Sequence, residues 1–288
     1  MLKKRIVAVL VVKDDIVVQS IGFRRYLPVG KPTIAVEFLN QWGIDEIILL
    51  DISASRRGRE PNFALVKSLA QHCRVPLTVG GGITSLSQIH ELMHCGADKV
   101  AFNQATLHHP DLLTEAARVF GDQCIVASID ARWAGSGYGV YDYLTGQTLG
   151  LSPVDHASHL QAIGVGEVLL NSVDRDGMKS GFDLDLINQT AEAVTVPLIV
   201  CGGAGVPAHF LDVLEKTSAS AIAAANFFHF FEHSVTITKA LTSQYHAVRH
   251  ETHALYQGND LDAMGRLLKK PDQTLESLLY LKIEKEVI

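Results

Sequence analysis

At 288 residues and 47% hydrophobic side chains, the chain can bury a large single core, and α/β barrels commonly reach this size as one domain. A net charge of −6, with no dense Lys/Arg patch interleaved with aromatics, argues against a nucleic-acid surface and for a small-molecule partner. Cys73, Cys95, Cys124 and Cys201 stand alone, without CxxC or His spacing, which argues against a zinc site and a disulfide framework and points to a reducing cytoplasm.

In chain order, basic residues precede Ile6–Val12, an apolar run that leads into Lys13-Asp14-Asp15 with no small-residue cleavage site. It reads as a buried strand followed by a loop turn. No later apolar stretch is long and charge-free enough to cross a bilayer. Short β-branched runs then alternate with segments of helical period, the pattern of parallel strands under crossover helices. Strands are expected near 5–11, 46–51, 76–80, 98–102, 124–130, 166–171, 196–201 and 220–224, and eight of them suggest a closed (β/α)8 TIM barrel.

An internal repeat strengthens this reading. Pro76-Leu77-Thr78-Val79-Gly80-Gly81-Gly82 recurs 121 residues later as Pro197-Leu198-Ile199-Val200-Cys201-Gly202-Gly203, and Glu46 recurs as Glu167 at the same offset. The barrel is therefore expected to consist of two half-barrel repeats over residues 1–245. Beyond about residue 246, Gly258-Asn259-Asp260 breaks the chain. Residues 261–268 and 275–281 then read as two short amphipathic helices separated by Pro271, a helical extension over 246–288 that caps the barrel or contacts another subunit.

Reactive groups of such a barrel lie where strands end and βα loops begin. Gly80-Gly81-Gly82 and Gly202-Gly203 end two strands at symmetric positions, where backbone N–H groups can approach anions. One such cluster also arises for steric reasons, but a symmetric pair points to a substrate with two phosphate ends. Asp130 closes the fifth strand after Val126-Ala127-Ser128-Ile129 and should project into the mouth, where burial can tune it for acid–base work. A helix cap or loop anchor is its blander role. Asp176, in Asp174-Arg175-Asp176-Gly177, follows the sixth strand, where a turn anchor is again the bland role. The thirteen histidines lack ligand spacing, and neither a metal nor an organic cofactor is implied.

Taken together, Lys4-Arg5-Ile6, Leu50-Asp51-Ile52-Ser53-Ala54-Ser55, Thr78-Val79-Gly80-Gly81-Gly82-Ile83, Gly96-Ala97-Asp98-Lys99-Val100, Asp174-Arg175-Asp176-Gly177, Gly202-Gly203-Ala204-Gly205 and Phe228-His229-Phe230 resemble the signature segments of the cyclase subunit of imidazole glycerol phosphate synthase, the HisF family. The similarity runs from residue 1 to about 245. It implies a HisH-type glutaminase partner whose ammonia enters at the barrel bottom and meets a bisphosphorylated imidazole precursor at the top. It further implies that Asn103, Gln104, Asn171, Asp176, Gly177, Gly203, Ala204, Ala224 and Ala225 join Gly81 and Gly82 around the substrate and its phosphates. Arg5, Glu46, Lys99 and Glu167 match the ring of charges that gates the ammonia path, and Asp98 matches a residue facing the glutaminase.

The family places acid–base aspartates at the ends of strands one and five. Asp130 matches one; Val11 occupies the other position, and valine can neither donate nor accept a proton. Gln19 stands where the family has a lysine, Asn171 where it has a threonine, and Ala225 where it has a serine. An intact conduit with a broken pair resembles a paralogous group, found with surface-sugar biosynthesis enzymes, that passes ammonia toward acetamidino groups. The segment Arg57-Gly58-Arg59-Glu60-Pro61-Asn62-Phe63 also resembles that group. Two other readings stand beside ammonia delivery to a separate amidating enzyme. One is a working cyclase of histidine biosynthesis in which Asp14 or Asp15 replaces the missing carboxylate; the other is a non-catalytic activator of the glutaminase.

Overall fold

The computed structural model describes residues 3–230, 233–249, 260–262 and 266–278. Strand β1 (Arg5–Lys13) continues into a hairpin of β2 (Ile16–Ile21) and β3 (Arg25–Gly30), followed by β4 (Glu46–Asp51), β5 (Leu77–Gly80) and β6 (Lys99–Phe102). Strand β7 (Ile125–Trp133) runs into a second hairpin of β8 (Tyr138–Asp142) and β9 (Gln147–Thr148), and β10 (Glu167–Ser172), β11 (Leu198–Cys201) and β12 (Ala221–Ala224) complete the set. The parallel order β1-β4-β5-β6-β7-β10-β11-β12 closes because β12 pairs with β1, so these eight strands form a TIM barrel. All eight fall within one or two residues of the expected starts.

Outside the barrel lie α1 (Pro32–Gln41), α2 (Phe63–His72), α3 (Leu86–His94), α4 (Gln104–His108), α5 (Pro110–Phe120), α6 (Pro153–Ala162), α7 (Leu184–Ala193), α8 (Pro207–Lys216) and α9 (Ser234–Thr242). Their starts are written locally. The side chains of Asn62, Ser85, Ser152 and Asp183 accept from backbone N–H groups three residues on, and proline opens α1, α5, α6 and α8.

Strand alternation sorts the core into two shells. On β1, Ile6, Ala8, Leu10 and Val12 pack toward the helices, whereas Val7 and Val9 join Ile48, Ala101, Val126, Leu169, Ile199, Ala221 and Ala223 inside the barrel. The same parity sends Arg5, Glu46, Lys99 and Glu167 inward at the strand starts and Val11, Asn103, Asp130 and Asn171 inward at the strand ends. Four residues of strand separate Glu167 from Asn171, about 13 Å at ~3.3 Å per residue. A charged layer below and a polar mouth above thus enclose an apolar interior.

The repeated glycines serve close backbone approach. A Cβ on Gly81 would lie 2.3 Å from the Asp51 carbonyl oxygen, and one on Gly202 2.7 Å from that of Ser172. For Gly82 and Gly203 the corresponding distances are 2.4 Å to Arg59 O and 2.1 Å to Gly181 O, all four glycines having positive φ. The steric reason for these glycines therefore holds in both halves, whatever anions they also meet.

The two hairpins were not anticipated. Asp14 and Asp15, expected as part of a loop turn, form the tight β1–β2 connection with φ of 53° and 65°. The tail requires a correction: residues 261–268 are not a helix where they are described. Leu261 and Leu267 instead form an antiparallel bridge, with Arg266 N donating to Asp262 Oδ1 and Leu268 N to Asp260 O. So short a segment cannot repay helix nucleation without packing. Pro271 precedes α10 (Asp272–Leu278), which starts three residues before the expected second helix; residues 279–281 of that expectation lie outside the described residues.

Candidate functional site

At the C-terminal ends of the strands lies a cavity of about 380 Å³. Its wall brings together Val11, Gly81, Gly82, Asn103, Gln104, Asp130, Asn171, Asp176 and Ala225. Gly177, Gly203, Ala204 and Ala224, expected beside them, are not part of that wall. For Ala224 the reason is parity: it faces the helices while Ala223 and Ala225 face inward. Gly203 instead packs against the segment after β10, with Gly181 N donating to its carbonyl oxygen.

Asp130 is buried at the centre of the mouth. It accepts from Asn103 Nδ2 at 2.9 Å and from Asn171 Nδ2 at 3.4 Å, and Asn103 Nδ2 also donates to Ser128 O. Burial pushes its pKa up to about 7 against those two hydrogen bonds, with Asp176 and Asp142 adding a smaller upward push. This is a range suited to proton transfer near neutrality. Val11 lies in the same wall with Leu50, Cys201 and Ala225, a patch with no carboxylate. The Cys201 thiol is pushed up to about 12 by burial and stays protonated.

Raising the Asp130 pKa from 3.8 to about 7 has a stability cost. Below pH 4 the carboxyl is neutral folded or unfolded; above pH 7 it must ionise in a buried site, so its contribution is lost as pH rises through about 7. Asp130→Asn should therefore be more stable than the parent chain at pH 8 by about 1–3 kcal/mol, the two converging near pH 4. Denaturant melts at the two pH values check this. Asn171 Oδ1, which has no hydrogen-bond partner among the described residues, can accept from the new amide.

Asp176 is held as an anchor. Its Oδ2 accepts from Ser20 Oγ at 2.7 Å and Phe23 N at 3.2 Å, and its carbonyl accepts from Gly22 N. Asp14 and Asp15 are not in the cavity wall: Asp14 pairs with Arg57 at 2.6 Å and Asp15 accepts from Asn62 Nδ2 at 2.9 Å, pinning the first hairpin to the loop after β4. Sequence reasoning missed the side chains that roof the site, namely Lys13, Phe23, Arg24 and Tyr26 from the first hairpin, Arg56 and Arg57 from the loop after β4, and Tyr143 beyond β8. The hairpins meet edge to face through Phe23 and Tyr141, and Arg56 donates to Tyr143 O at 2.8 Å. A period-2 reading of residues 16–30 could have found the first of them.

At the opposite end, Arg5, Glu46, Lys99 and Glu167 form a closed ring. Arg5 bonds Glu46 at 2.5 Å and also bonds Glu167; Lys99 bonds Glu46 at 2.9 Å and Glu167 at 2.7 Å. Burial would lower the pKa of both cations, but the two glutamates outweigh it and raise them. Two cations against two anions leave the ring neutral, as burial demands. Asp98 lies exposed at this end, with Oδ2 accepting from Leu77 N at 2.8 Å.

Among the described residues no group of three His, Cys, Asp or Glu stands close enough to hold a metal ion, and no helix is long and apolar enough to cross a membrane. His156 and His229 are pushed down to about 4 by burial.

The pattern of the family described as "Histidine biosynthesis protein" matches residues 5–234. A Vibrio vulnificus protein named "Putative imidazole glycerol phosphate synthase subunit hisF2" is 42% identical over 92% of this chain and 98% of its own length. Subunits named HisF from Geobacillus thermodenitrificans and Thermococcus onnurineus are each 42% identical, over 83% and 82% of this chain and 96% and 93% of theirs. Together with the closed barrel, these matches establish that the chain belongs to the HisF family of imidazole glycerol phosphate synthase subunits.

Proposed function

We propose that this chain is the ammonia-receiving barrel of a glutamine amidotransferase pair, diverted from ring closure to ammonia delivery for an acetamidino group on a surface sugar. The observation that carries the reading is the contrast between its two ends: a complete ring of Arg5, Glu46, Lys99 and Glu167 below, and above it Val11 facing the cavity at the strand-one end, the position at which the family resemblance implies the second acid–base aspartate. In this reading residues 1–245 are the barrel and 246–288 an extension.

Ammonia from a HisH-type glutaminase, docked at the face that carries Asp98, passes the ring. The apolar layer of Val7, Ile48, Leu169 and Ile199 admits the neutral molecule, because an ammonium ion would lose its hydration there. At the mouth Asp130 exchanges a proton with the bound acceptor, and Gly81, Gly82, Asn103, Gln104 and Asn171 hold that acceptor. A separate amidating enzyme completes the transfer. A working histidine-pathway cyclase is the second reading, favoured by the names of the relatives; the engagement of Asp14 with Arg57 and of Asp15 with Asn62 weighs against it.

Added to a glutaminase partner, the chain should raise glutamine hydrolysis on the order of tenfold while forming no imidazole glycerol phosphate. Arg5→Ala should raise the free ammonia released per glutamine consumed. Absence of glutaminase stimulation by the folded chain would sink this reading.

A further inference from the structure

We infer that Asp142 and Gln104 are positioning residues for the mouth carboxylate: from the end of β8, through two side-chain amides, they fix how Asp130 is held. This deepens the ammonia-delivery reading, in which Asp130 exchanges a proton with the acceptor, and rests on it.

The four side chains come from three places in the fold. Asp142 ends β8, Asn103 and Gln104 follow β6, and Asp130 lies on β7. Gln104 Nε2 donates to Asp142 Oδ1 at 3.0 Å and to Asn103 Oδ1 at 3.2 Å, and Asn103 Nδ2 donates to Asp130 Oδ2 at 2.9 Å. A continuous relay therefore joins the two carboxylates.

Its direction is set from the Asp142 end. Asp142 is buried, yet its Oδ2 accepts from Thr145 Oγ1 at 2.8 Å and its Oδ1 from Leu144 N at 2.9 Å. Burial pushes its pKa up, but donation from Thr145, Gln104 and Leu144 outweighs that and leaves it below the usual carboxylate range. Ionised, Asp142 only accepts, so it demands an N–H from Gln104. The other N–H of the same amide holds the Asn103 oxygen and leaves the Asn103 nitrogen for Asp130 and Ser128 O.

Gln104 carries the cost of this arrangement. Its Oε1 is buried with no hydrogen-bond partner among the described residues. A flipped amide would set that oxygen against Asp142 Oδ1 and Asn103 Oδ1, three acceptors facing one another. An unbonded buried oxygen calls for a reason, and holding the nitrogen in the relay supplies one.

At the far end each Asp130 oxygen meets one amide, Asn103 or Asn171, and these bonds oppose the rise that burial imposes. Asp176 and Asp142 add to that rise. Tyr26, Tyr143 and Cys201 are the other titratable groups that feel the Asp130 charge, and Lys13, Arg24, Asp51, Arg56 and Arg57 line the same cavity. Asp142 thus acts on Asp130 in two opposite ways. Through space its charge raises the pKa; through Gln104 it secures the Asn103 bond that lowers it.

Carbon-13 NMR titration of the full chain, labelled at its aspartate carboxyls and assigned with Asp130→Asn, separates the two. In Gln104→Met, which cuts the relay and keeps the Asp142 charge, the Asp130 midpoint should rise by about half a pH unit or more. Gln104→Ala, too short to reach either partner, should move it the same way. Asp142→Asn keeps an oxygen for Gln104 while losing the charge, so its midpoint should lie at or below that of the parent. A midpoint less than about half a pH unit above the parent in the folded Gln104 variants, or above the parent in Asp142→Asn, would overturn the inference. The titration needs neither glutaminase nor acceptor. Failed glutaminase stimulation would therefore sink the ammonia-delivery reading and leave the relay standing, whereas a failed titration would leave stimulation untouched.

Discussion

Imidazole glycerol phosphate formation by the purified chain, supplied with ammonia, should run about 10²–10⁴-fold below that of a HisF relative carrying aspartate at both strand ends, the usual worth of one acid–base group. In the proposed reading Asp130 keeps its half of the work, since it is buried at the mouth with a pKa raised to about 7. Val11 belongs to an apolar patch with Leu50, Cys201 and Ala225, and the other carboxylates of the wall are engaged, Asp51 by Ser53 N and Ala54 N and Asp176 by Ser20 Oγ and Phe23 N. Val11→Asp should recover less than about tenfold of the deficit, because Gln19, Asn171 and Ala225 also depart from the residues that the family resemblance implies around the imidazole precursor. Steady-state turnover of that precursor by the parent chain, Val11→Asp and Asp130→Asn checks this. Turnover by the parent within about tenfold of the relative, abolished in Asp130→Asn, would falsify the diversion and restore a cyclase.

Much of the barrel was legible because strands buried on both faces read as unbroken apolar runs, so Ile47-Ile48-Leu49-Leu50 and Val168-Leu169-Leu170 leave little choice. Parity then carries the rest: once Arg5 and Glu46 point inward, so must Val11 and Leu50. The hairpins escaped notice because β3, Arg25-Tyr26-Leu27-Pro28-Val29-Gly30, is almost wholly exposed, mixes proline and glycine with apolar residues, and pairs only with β2. With it went Tyr26 and the hairpin's share of the roof over the site. The repeat announced two glycine turns, but not how the first hairpin is tied down: Ser20 bonds Asn226, residues 206 apart in sequence, through an amide and a backbone with no local signature.

Lys239→Met should cost the fold about 3–5 kcal/mol at neutral pH, the usual penalty for leaving a buried charge without its partner. Lys239, on α9, is 0% exposed; its Nζ donates to Asp45 Oδ1 at 2.6 Å and to Gly43 O at 2.5 Å. Burial raises the Asp45 pKa while the Lys239 charge holds it down, so removing the lysine drives it further up. An acid raised in the folded state loses stability as pH climbs through its pKa. The deficit of the variant should therefore be full at pH 8 and shrink toward pH 4, and Lys239→Met/Asp45→Asn should recover most of it. A denaturation series on the three chains decides the matter, and a pH-independent loss untouched by Asp45→Asn would assign the effect to packing alone. The consequence reaches the charged ring, because Asp45 Oδ2 accepts from Ile6 N at 2.7 Å, and Ile6 and Asp45 are the chain neighbours of Arg5 and Glu46. The outer buried pair holds two strand starts in register, and through them the inner ring. If the chain delivers ammonia as proposed, a destabilised Lys239→Met barrel should accordingly leak it at temperatures where it is still folded.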